Sequence, residues 1–173
     1  MTKKEFLKAV SNSEEDVLQL LLDALARTGV DYCVIGGLAV NAYAEPVVSL
    51  DLDIVVAADD VDAVCDALAA HFTIECFSHS INLSTNKSDL RIQLQTDPRY
   101  QPFIRRARPQ TVLGYDMKVA AIEDVLQGKV WAYSDEERRT SKRQKDLADI
   151  ARLVEAHPSL ADRLPGAIRS KLR

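Results

Sequence analysis

A paired glycine between an apolar segment and a helix-like segment sets a sharp turn early in this chain. Residues 31–35 are mostly apolar, which predicts a short buried strand, and residues 38–43 predict the opening of a helix. Between them, Gly36 and Gly37 would expose backbone amides at a helix N-terminus, where phosphate binds and where a side chain would block close approach. Both glycines are therefore candidate phosphate-binding residues, although a paired glycine alone is more often just a tight turn.

Two aspartates on one predicted strand follow this turn by about fifteen residues. In residues 50–56 apolar side chains alternate with Asp51 and Asp53, so both carboxylates lie on the same face of the strand. Their Cα atoms should be roughly 6 to 7 Å apart, a separation at which two carboxylates can share one or two divalent cations. The turn and the pair together indicate metal-assisted nucleotidyl transfer. Taken alone, the pair more often marks a solvated strand end, and the glycine and later glutamate of an EF-hand are absent.

Length and composition indicate one compact unit. The chain has 173 residues, of which 47% are hydrophobic and 28% charged, and no apolar run approaches the roughly 20 residues of a membrane span. The first residues carry positive charge, but neither an apolar run nor a small-residue cleavage site follows, so no secretory signal is expected. We therefore expect a cytoplasmic protein without membrane contact, in which residues 1–120 form the core and residues 121–173 a helical cap packed on it.

Cysteine and histidine positions argue against disulfide and zinc sites. Cys33, Cys65 and Cys76 are odd in number, lack Cys-x-x-Cys spacing and lie among apolar neighbours, which predicts reduced, buried thiols. The three histidines have no ligand-like spacing and no adjacent cysteine or carboxylate cluster. We expect neither a disulfide framework nor a zinc centre.

Charge is divided unevenly along the chain. Residues 1–90 contain 5 basic and 15 acidic side chains, whereas residues 91–173 contain 17 basic and 11 acidic ones. An acidic metal-binding face beside a basic phosphate-binding face would give this asymmetry, and so would two complementary solvated surfaces. The sequence leaves both explanations open.

Periodicity along the chain indicates α+β organisation with a C-terminal helical segment. Ser13–Asp16 is expected to cap a first helix that ends before Gly29 and lies against the sheet. Further helices are predicted from Asp59 to about residue 71 and at 97–107, 122–133 and 141–156, with short ones broken by Pro158 and Pro165. An antiparallel segment is predicted from strands at 72–77, 81–83 and 90–95, followed by a strand at 111–113, an edge element at 117–120 and a mobile loop at 134–145.

A basic run and two charged helical motifs add further candidates. Five of the eight residues at 138–145 are Arg or Lys, and a second cluster lies at 105–108. Either cluster could bind phosphates of a nucleotide or of an RNA acceptor, or could be an ordinary solvated surface. Lys129 could reach into a cleft and neutralise a phosphate, with Asp146 or Asp149 holding it in place, although spacing alone favours surface salt bridges.

Three sequence blocks match a known group of enzymes. They are Gly36-Gly37 with Asp51 and Asp53, residues 124–132 with Lys129, and the Asp-Leu-Ala-Asp-Ile run that begins at Asp146. In these blocks the chain resembles the minimal nucleotidyltransferases of the polymerase-beta-like superfamily, particularly the group containing the abortive-infection toxins of type IV toxin-antitoxin systems. The resemblance covers roughly residues 31–155.

The resemblance implies a nucleotidyltransferase-like mixed sheet flanked by helices, in an enzyme that moves a nucleoside monophosphate from a nucleoside triphosphate (NTP) to a hydroxyl. It implies that Asp51 and Asp53 bind Mg²⁺ and that Lys129 serves catalysis and phosphate binding. The remaining nucleotide-site residues would be Gly36, Gly37, Ser49 and Asp146. The acceptor could be a tRNA, a protein or a small molecule, and a toxin of this kind would have an antitoxin partner.

Two departures from the pattern of this group bear on catalysis. Val47 stands where relatives usually have an arginine, and Gln93 stands where a third carboxylate belongs, on the strand at 91–94. An amide supplies no negative charge and cannot accept a proton from an attacking hydroxyl. Asp89, four residues earlier on the same strand face, is the alternative third ligand if the register differs. These departures support a second hypothesis, a catalytically degenerate fold that binds a nucleotide or a protein partner.

Overall fold

The computed structural model describes residues 1–173 and contains one seven-stranded mixed sheet. The strands are β1 (Tyr32–Ile35), β2 (Asp51–Val56), β3 (Thr73–Cys76), β4 (Ser80–Thr85), β5 (Ser88–Gln95), β6 (Arg108–Val112) and β7 (Tyr115–Val119). The helices are α1 (Lys3–Val10), α2 (Val17–Thr28), α3 (Gly36–Val40), α4 (Val61–Leu68), α5 (Phe103–Arg106), α6 (Ile122–Ser134), α7 (Thr140–Ala156) and α8 (Gly166–Arg169). Short 3₁₀ segments lie at Ala58–Asp60, Pro158–Arg163 and Ser170–Leu172.

The strands follow the order β3-β4-β5-β2-β1-β7-β6 across the sheet. β2 pairs antiparallel with β1 and parallel with β5, and β1 pairs in parallel with β7. The outer strands form antiparallel hairpins, β3-β4-β5 on one side and β6-β7 on the other. The expected α+β fold with a mixed sheet flanked by helices is confirmed, as is the antiparallel segment between residues 72 and 95.

The apolar core surrounds the two central strands. All four residues of β1 are buried, and in β2 Leu52 and residues 54–56 are buried as well. α2 packs against α4, while α6 and α7 pack together and against α3. Because the end of β2 is covered, only its first half, with Asp51 and Asp53, is left partly open. No helix is both long enough and apolar enough to span a bilayer.

Local signals explain both ends of α2 and the start of α1. The Asp16 side chain accepts a hydrogen bond from the Gln19 amide, and Gly29 ends α2 with a φ of 66°. The expected cap is therefore present, at the last residue of the predicted Ser13–Asp16 segment. α1 was not predicted from the sequence, although Thr2 and Glu5 form a capping box at its start.

The segment predicted as an edge element is an interior strand. Val119 of β7 pairs with Val34 of β1, while all of β7 pairs on its other side with β6. Gly114, with a φ of 84°, allows the tight turn that folds β6 back onto β7. The edge of the sheet is therefore β6, and the prediction for 117–120 is wrong.

The expected mobile loop at 134–145 is largely helical. α7 begins at Thr140, and within its first turns Arg143 donates a hydrogen bond to the Tyr133 carbonyl at 2.7 Å. Arg138 forms an ion pair with Asp146 at 2.7 Å. These contacts tie the polar run to α6 and α7, which the charge pattern alone did not indicate.

Two smaller expectations also fail. The helix expected at 97–107 is limited to α5, because the residues before Phe103 form turns.

The expectation of three buried thiols is wrong for two of them. Cys33 is buried, but Cys65 is partly exposed and Cys76 is exposed, since Cys76 lies on the outermost strand β3.

Replacing Ile54 by alanine should cost about 2–5 kcal/mol in the free energy of unfolding, measured by urea denaturation. Ile54 is fully buried on the central strand β2, so the truncation leaves a cavity that the sheet cannot close. The control is Val10→Ala at the exposed end of α1, for which we expect a change of less than about 0.5 kcal/mol. Equal losses in the two variants would contradict a core centred on β2.

Candidate active site

A polar cavity of about 860 Å³ opens at the first half of β2. Seven basic and five acidic side chains line it, so the cavity carries an excess of positive charge. Of the residues predicted from the sequence, those that line it are Gly37, Ser49, Asp51, Asp53, Lys129 and Asp146. The fold thus brings residues of β2, α3, α6 and α7 to one place.

Gly36 is required by its contact with Asp53. β1 and β2 pair so that Ile35 lies opposite Asp53, which places the glycine turn against the Asp53 side chain. Gly36 has a φ of 71°, and a Cβ at this position would lie 2.6 Å from Asp53 Oδ2. At Gly37 a Cβ would make only an ordinary contact, 3.6 Å from Asp149 Oδ2. Gly36 therefore makes room for the carboxylate, whereas Gly37 lines the cavity.

Asp51 is held by two cations. Arg91 Nε donates to Asp51 Oδ1 at 2.6 Å, Lys142 Nζ donates to Oδ2 at 2.6 Å, and Lys145 Nζ lies 3.9 Å from Oδ2. Partial burial opposes ionisation of Asp51, but the hydrogen bonds from Arg91 and Lys142 outweigh it and lower its pKa to about 2. Asp51 is therefore ionised at neutral pH, and each of its oxygens accepts a hydrogen bond from a cation.

Asp53 has a different environment on the same strand. Its carboxylate forms no salt bridge and accepts no hydrogen bond, and it lies where a Cβ at position 36 would meet it. Burial raises the pKa of Asp53, and Lys129 opposes that rise from further away. The side chain keeps partial exposure through the cavity. Asp53 is thus an unpaired carboxylate that faces a polar cavity.

Lys129 lies in a buried ion cluster between α6 and α7. Its Nζ donates to Asp146 Oδ1 at 3.0 Å and lies 2.8 Å from Asp149 Oδ2. Arg138 Nε donates to Asp146 Oδ2 at 2.7 Å, so two cations share this carboxylate. Burial lowers the pKa of Lys129, but Asp149 and Asp146 outweigh burial and raise it, which keeps the ammonium charged. Because Lys129 and Asp146 are 8% and 1% exposed, these are not surface salt bridges.

The loop before β2 is fixed by Asn41 and Arg152, which the sequence analysis did not select. Asn41 Nδ2 donates to the Val47 carbonyl at 2.8 Å, and Asn41 Oδ1 accepts from the Val47 amide at 2.9 Å. Arg152 donates to Asn41 Oδ1 at 2.9 Å and to a loop carbonyl at 2.6 Å. Ser49 Oγ then accepts from the Asp51 amide at 3.1 Å. The one local signal was a polar Asn41 in an otherwise apolar segment.

Gln93 occupies the position at which related sequences have a third carboxylate. The parallel register of β2 and β5 pairs Asp53 with Gln93, whose Nε2 donates to Asn82 Oδ1 at 3.4 Å. Asp89 lies at the start of β5 and accepts a hydrogen bond from Asn12 Nδ2 at 2.6 Å, away from the cavity lining. The alternative of Asp89 as third ligand is therefore wrong. No group of three or more His, Cys, Asp or Glu side chains forms a metal-binding cluster.

The basic run supplies one wall of the cavity. Its lining members are Arg138, Arg139, Lys142 and Lys145. The cluster at 105–108 lies outside the lining, and its Arg106 binds Asp124 at 2.7 Å instead. At this cavity, two aspartates from the first half of the chain therefore face basic side chains from the second half.

The carboxylates of Asp51 and Asp53 fit Mg²⁺. This ion prefers oxygen ligands and is commonly held by one or two carboxylates together with substrate phosphates. Asp53 offers an unpaired carboxylate that Gly36 leaves room for, and Asp51 offers an ionised one on the same face of β2. Two carboxylates in a basic cavity fit a metal–nucleotide complex better than a metal ion alone.

Comparison with solved structures identifies the fold. The lincomycin-bound lincosamide antibiotic adenylyltransferase LnuA is similar with a TM-score of 0.58 and 15% identity, over 82% of this chain and 99% of that chain. ANT(2")-Ia in complex with adenylyl-2"-tobramycin has a TM-score of 0.59 and 15% identity, over 91% and 95%. An antigenic nucleotidyltransferase-like protein from Paracoccidioides brasiliensis has a TM-score of 0.54 and 15% identity, over 98% and 94%. These similarities confirm the nucleotidyltransferase fold.

Sequence comparison identifies the family. No curated protein sequence matches the chain at a significant level. Residues 20–173 match the family described as nucleotidyl transferase AbiEii toxin, type IV TA system, and this range contains all three sequence blocks and the whole cavity lining. The match confirms the resemblance and the expected enzyme class, nucleotidyltransferase. The chain belongs to the AbiEii nucleotidyl transferase toxin family of type IV toxin-antitoxin systems.

Proposed function

We propose that this protein transfers a nucleoside monophosphate from an NTP to a hydroxyl group, with Mg²⁺ held by Asp51 and Asp53. The observation that carries the proposal is the placement of both carboxylates on one face of β2, at a cavity that also receives the glycine turn. Membership of the family supports the reaction class. We place the reaction in the cytoplasm, where NTPs are available.

Basic side chains of the cavity would bind the triphosphate. Lys129 uses two of its three N–H donors on Asp146 and Asp149, and the third is available to a phosphate oxygen. Because Lys129 is nearly buried, water screens its charge weakly and its attraction for a phosphate is strong. Asp146 acts as a positioning residue that fixes Lys129 and Arg138. Ser49 fixes the start of β2, and with it the direction of the Asp51 carboxylate.

In the proposed reaction the acceptor hydroxyl attacks the α-phosphorus, a new P–O bond forms, and pyrophosphate leaves. Mg²⁺, when bound, supplies charge neutralisation at the phosphoryl oxygens. Lys129 adds a fixed positive charge on the same cavity wall. Gln93 can accept a hydrogen bond from the attacking hydroxyl through its side-chain carbonyl, but it cannot take the proton. The proton therefore leaves to solvent or to the substrate.

The acceptor we propose is a hydroxyl on a tRNA, a protein or a small molecule. The basic wall formed by residues 138–145 suits a nucleic-acid phosphate. A small molecule is the acceptor class suggested by LnuA, whose similar structure holds lincomycin. From the family we further propose that the protein acts as a toxin controlled by an antitoxin partner.

Asp53→Asn should abolish Mg²⁺-dependent NTP binding, measured by calorimetry with each of the four NTPs. Transfer of label from an α-labelled NTP should fall by about 10²-fold or more, because the variant loses a charged metal ligand. The matched control is Asp89→Asn, the same change on β5 outside the cavity, which should leave both measurements unaltered. Wild-type protein that binds NTP but transfers no label to any acceptor would support the binding-only hypothesis.

Gly36→Ala should reduce Mg²⁺-dependent NTP affinity, while Gly29→Ala should not. Both glycines have positive φ, 71° and 66°, so either alanine costs about 1–2 kcal/mol of backbone strain. Only at position 36 does the added Cβ meet Asp53; at position 29 nothing lies within 4 Å. Calorimetry measures the NTP affinity of both variants, and urea denaturation measures the backbone strain that they share. The difference in affinity between them then reports the displacement of Asp53. Equal affinities would contradict the contact between Gly36 and the metal site.

Gln93→Glu should increase the transfer rate by about tenfold or more, since a positioned general base contributes about 10²–10⁴-fold. The new carboxylate would lie beside Asp53 in the strand register and could accept the hydroxyl proton. Gln95→Glu makes the same change two residues further along β5, outside the cavity lining, and should leave the rate unaltered. An unchanged rate in both variants would show that deprotonation does not limit the reaction.

A further inference from the structure

The two aspartates of the site differ in their hydrogen-bond partners. Both oxygens of Asp51 accept short hydrogen bonds, from Arg91 Nε at 2.6 Å and from Lys142 Nζ at 2.6 Å. The Asp53 carboxylate has no such partner and lies against Gly36. A metal ion that uses both aspartates must therefore compete with these two cations for the oxygens of Asp51.

The two cations on Asp51 are more exposed than Lys129. The side chains of Arg91 and Lys142 are 66% and 33% exposed, and Asp51 is the one carboxylate that either of them contacts. By contrast, the side chain of Lys129 is 10% exposed and held between two aspartates. Long exposed side chains can rotate at little cost, whereas removing Lys129 from its cluster would leave buried carboxylates with less charge compensation.

Displacement of these cations by a metal alone is unfavourable. A divalent cation on Asp51 would place Arg91 and Lys142 near a like charge in a cavity that already has an excess of positive groups. A triphosphate changes this balance, because its oxygens can accept the hydrogen bonds that Arg91 and Lys142 give up. The phosphates also complete the oxygen ligands of the metal.

We propose that Arg91 and Lys142 exchange partners during substrate binding: they hold Asp51 until a nucleoside triphosphate enters, then bind its phosphates and release Asp51 to the metal ion. Metal binding is in consequence dependent on the nucleotide. The proposal rests on the function proposed above, and it adds Arg91 and Lys142 as triphosphate-binding residues that also control access to Asp51.

Mn²⁺ titrations followed by electron paramagnetic resonance test this exchange, because free Mn²⁺ gives a signal that falls on binding. The protein is titrated without nucleotide and then with ATP, GTP, CTP and UTP in turn. Lys142→Met removes one cation from Asp51, and Arg91→Met is a second, independent variant. The matched control is Lys145→Met, which makes the same change in charge at a side chain 3.9 Å from Asp51 and 61% exposed.

Without nucleotide, we expect weak Mn²⁺ binding by the wild type, and binding about tenfold tighter or more in Lys142→Met and Arg91→Met. Lys145→Met removes a charge that makes no hydrogen bond to Asp51, so its gain should be no more than about threefold. In the presence of Mn²⁺, Lys142→Met and Arg91→Met should bind NTP about tenfold more weakly than the wild type, because a phosphate contact is lost. The opposite directions of the two effects distinguish exchange from a purely structural role.

Two results would overturn the exchange while leaving the proposed function intact. One is tight Mn²⁺ binding by the wild type without nucleotide; the other is an equal gain in Lys142→Met and Lys145→Met, which would indicate a general charge effect. A third result, no Mn²⁺ binding by any variant even with NTP, would overturn the metal–nucleotide site itself and the exchange with it. Circular dichroism of each variant confirms that the fold is retained before its affinity is compared.

Discussion

The antiparallel pairing of β1 with β2 sets Ile35 opposite Asp53, and the geometry of the cavity follows from this register. The chain leaves β1 at Gly36, whose positive φ turns it into α3 directly against the Asp53 carboxylate. A shift of one residue would turn Asp51 and Asp53 to the other face of the sheet and place apolar side chains at the cavity. Gly36 is therefore needed for two reasons. Its positive φ turns the chain at this point, and its lack of a Cβ leaves room for the Asp53 carboxylate.

The buried charged side chains between α6 and α7 are explained by their position beside β2. Lys129 and Asp146 would be replaced at little loss, or with a gain in stability, by well-packed apolar residues, because burying charges costs more than their attraction returns in many proteins. Their retention beside Asp53 is explained if the cavity needs a charge that cannot move. Asp146 and Asp149 supply that immobility, and helix α7 carries both of them at adjacent turns on one side.

Periodicity and motif spacing predicted the features that depend on neighbours in sequence: the common face of Asp51 and Asp53, the glycine turn, and the antiparallel strands β3 to β5. They did not predict features set by distant contacts. The partners of Asp51 come from positions 40 and 91 residues further along the chain, and no local pattern marks Arg91 as one of them. For the same reason the sequence predicts an edge element at residues 117–120, because the pairing of β7 with β6 is recognised only across the turn at Gly114.

The surroundings of the two aspartates on β2 thus shift their pKa values in opposite directions. Hydrogen bonds from two cations lower the pKa of Asp51, while burial without a partner raises that of Asp53. If neither carboxylate had a cationic partner in the protein, their mutual repulsion would oppose folding. Here the basic residues of the second half of the chain neutralise Asp51, and Gly36 leaves space for Asp53. The same cations that relieve the repulsion are suited to phosphate oxygens, so one set of charges serves both the folded protein and its substrate.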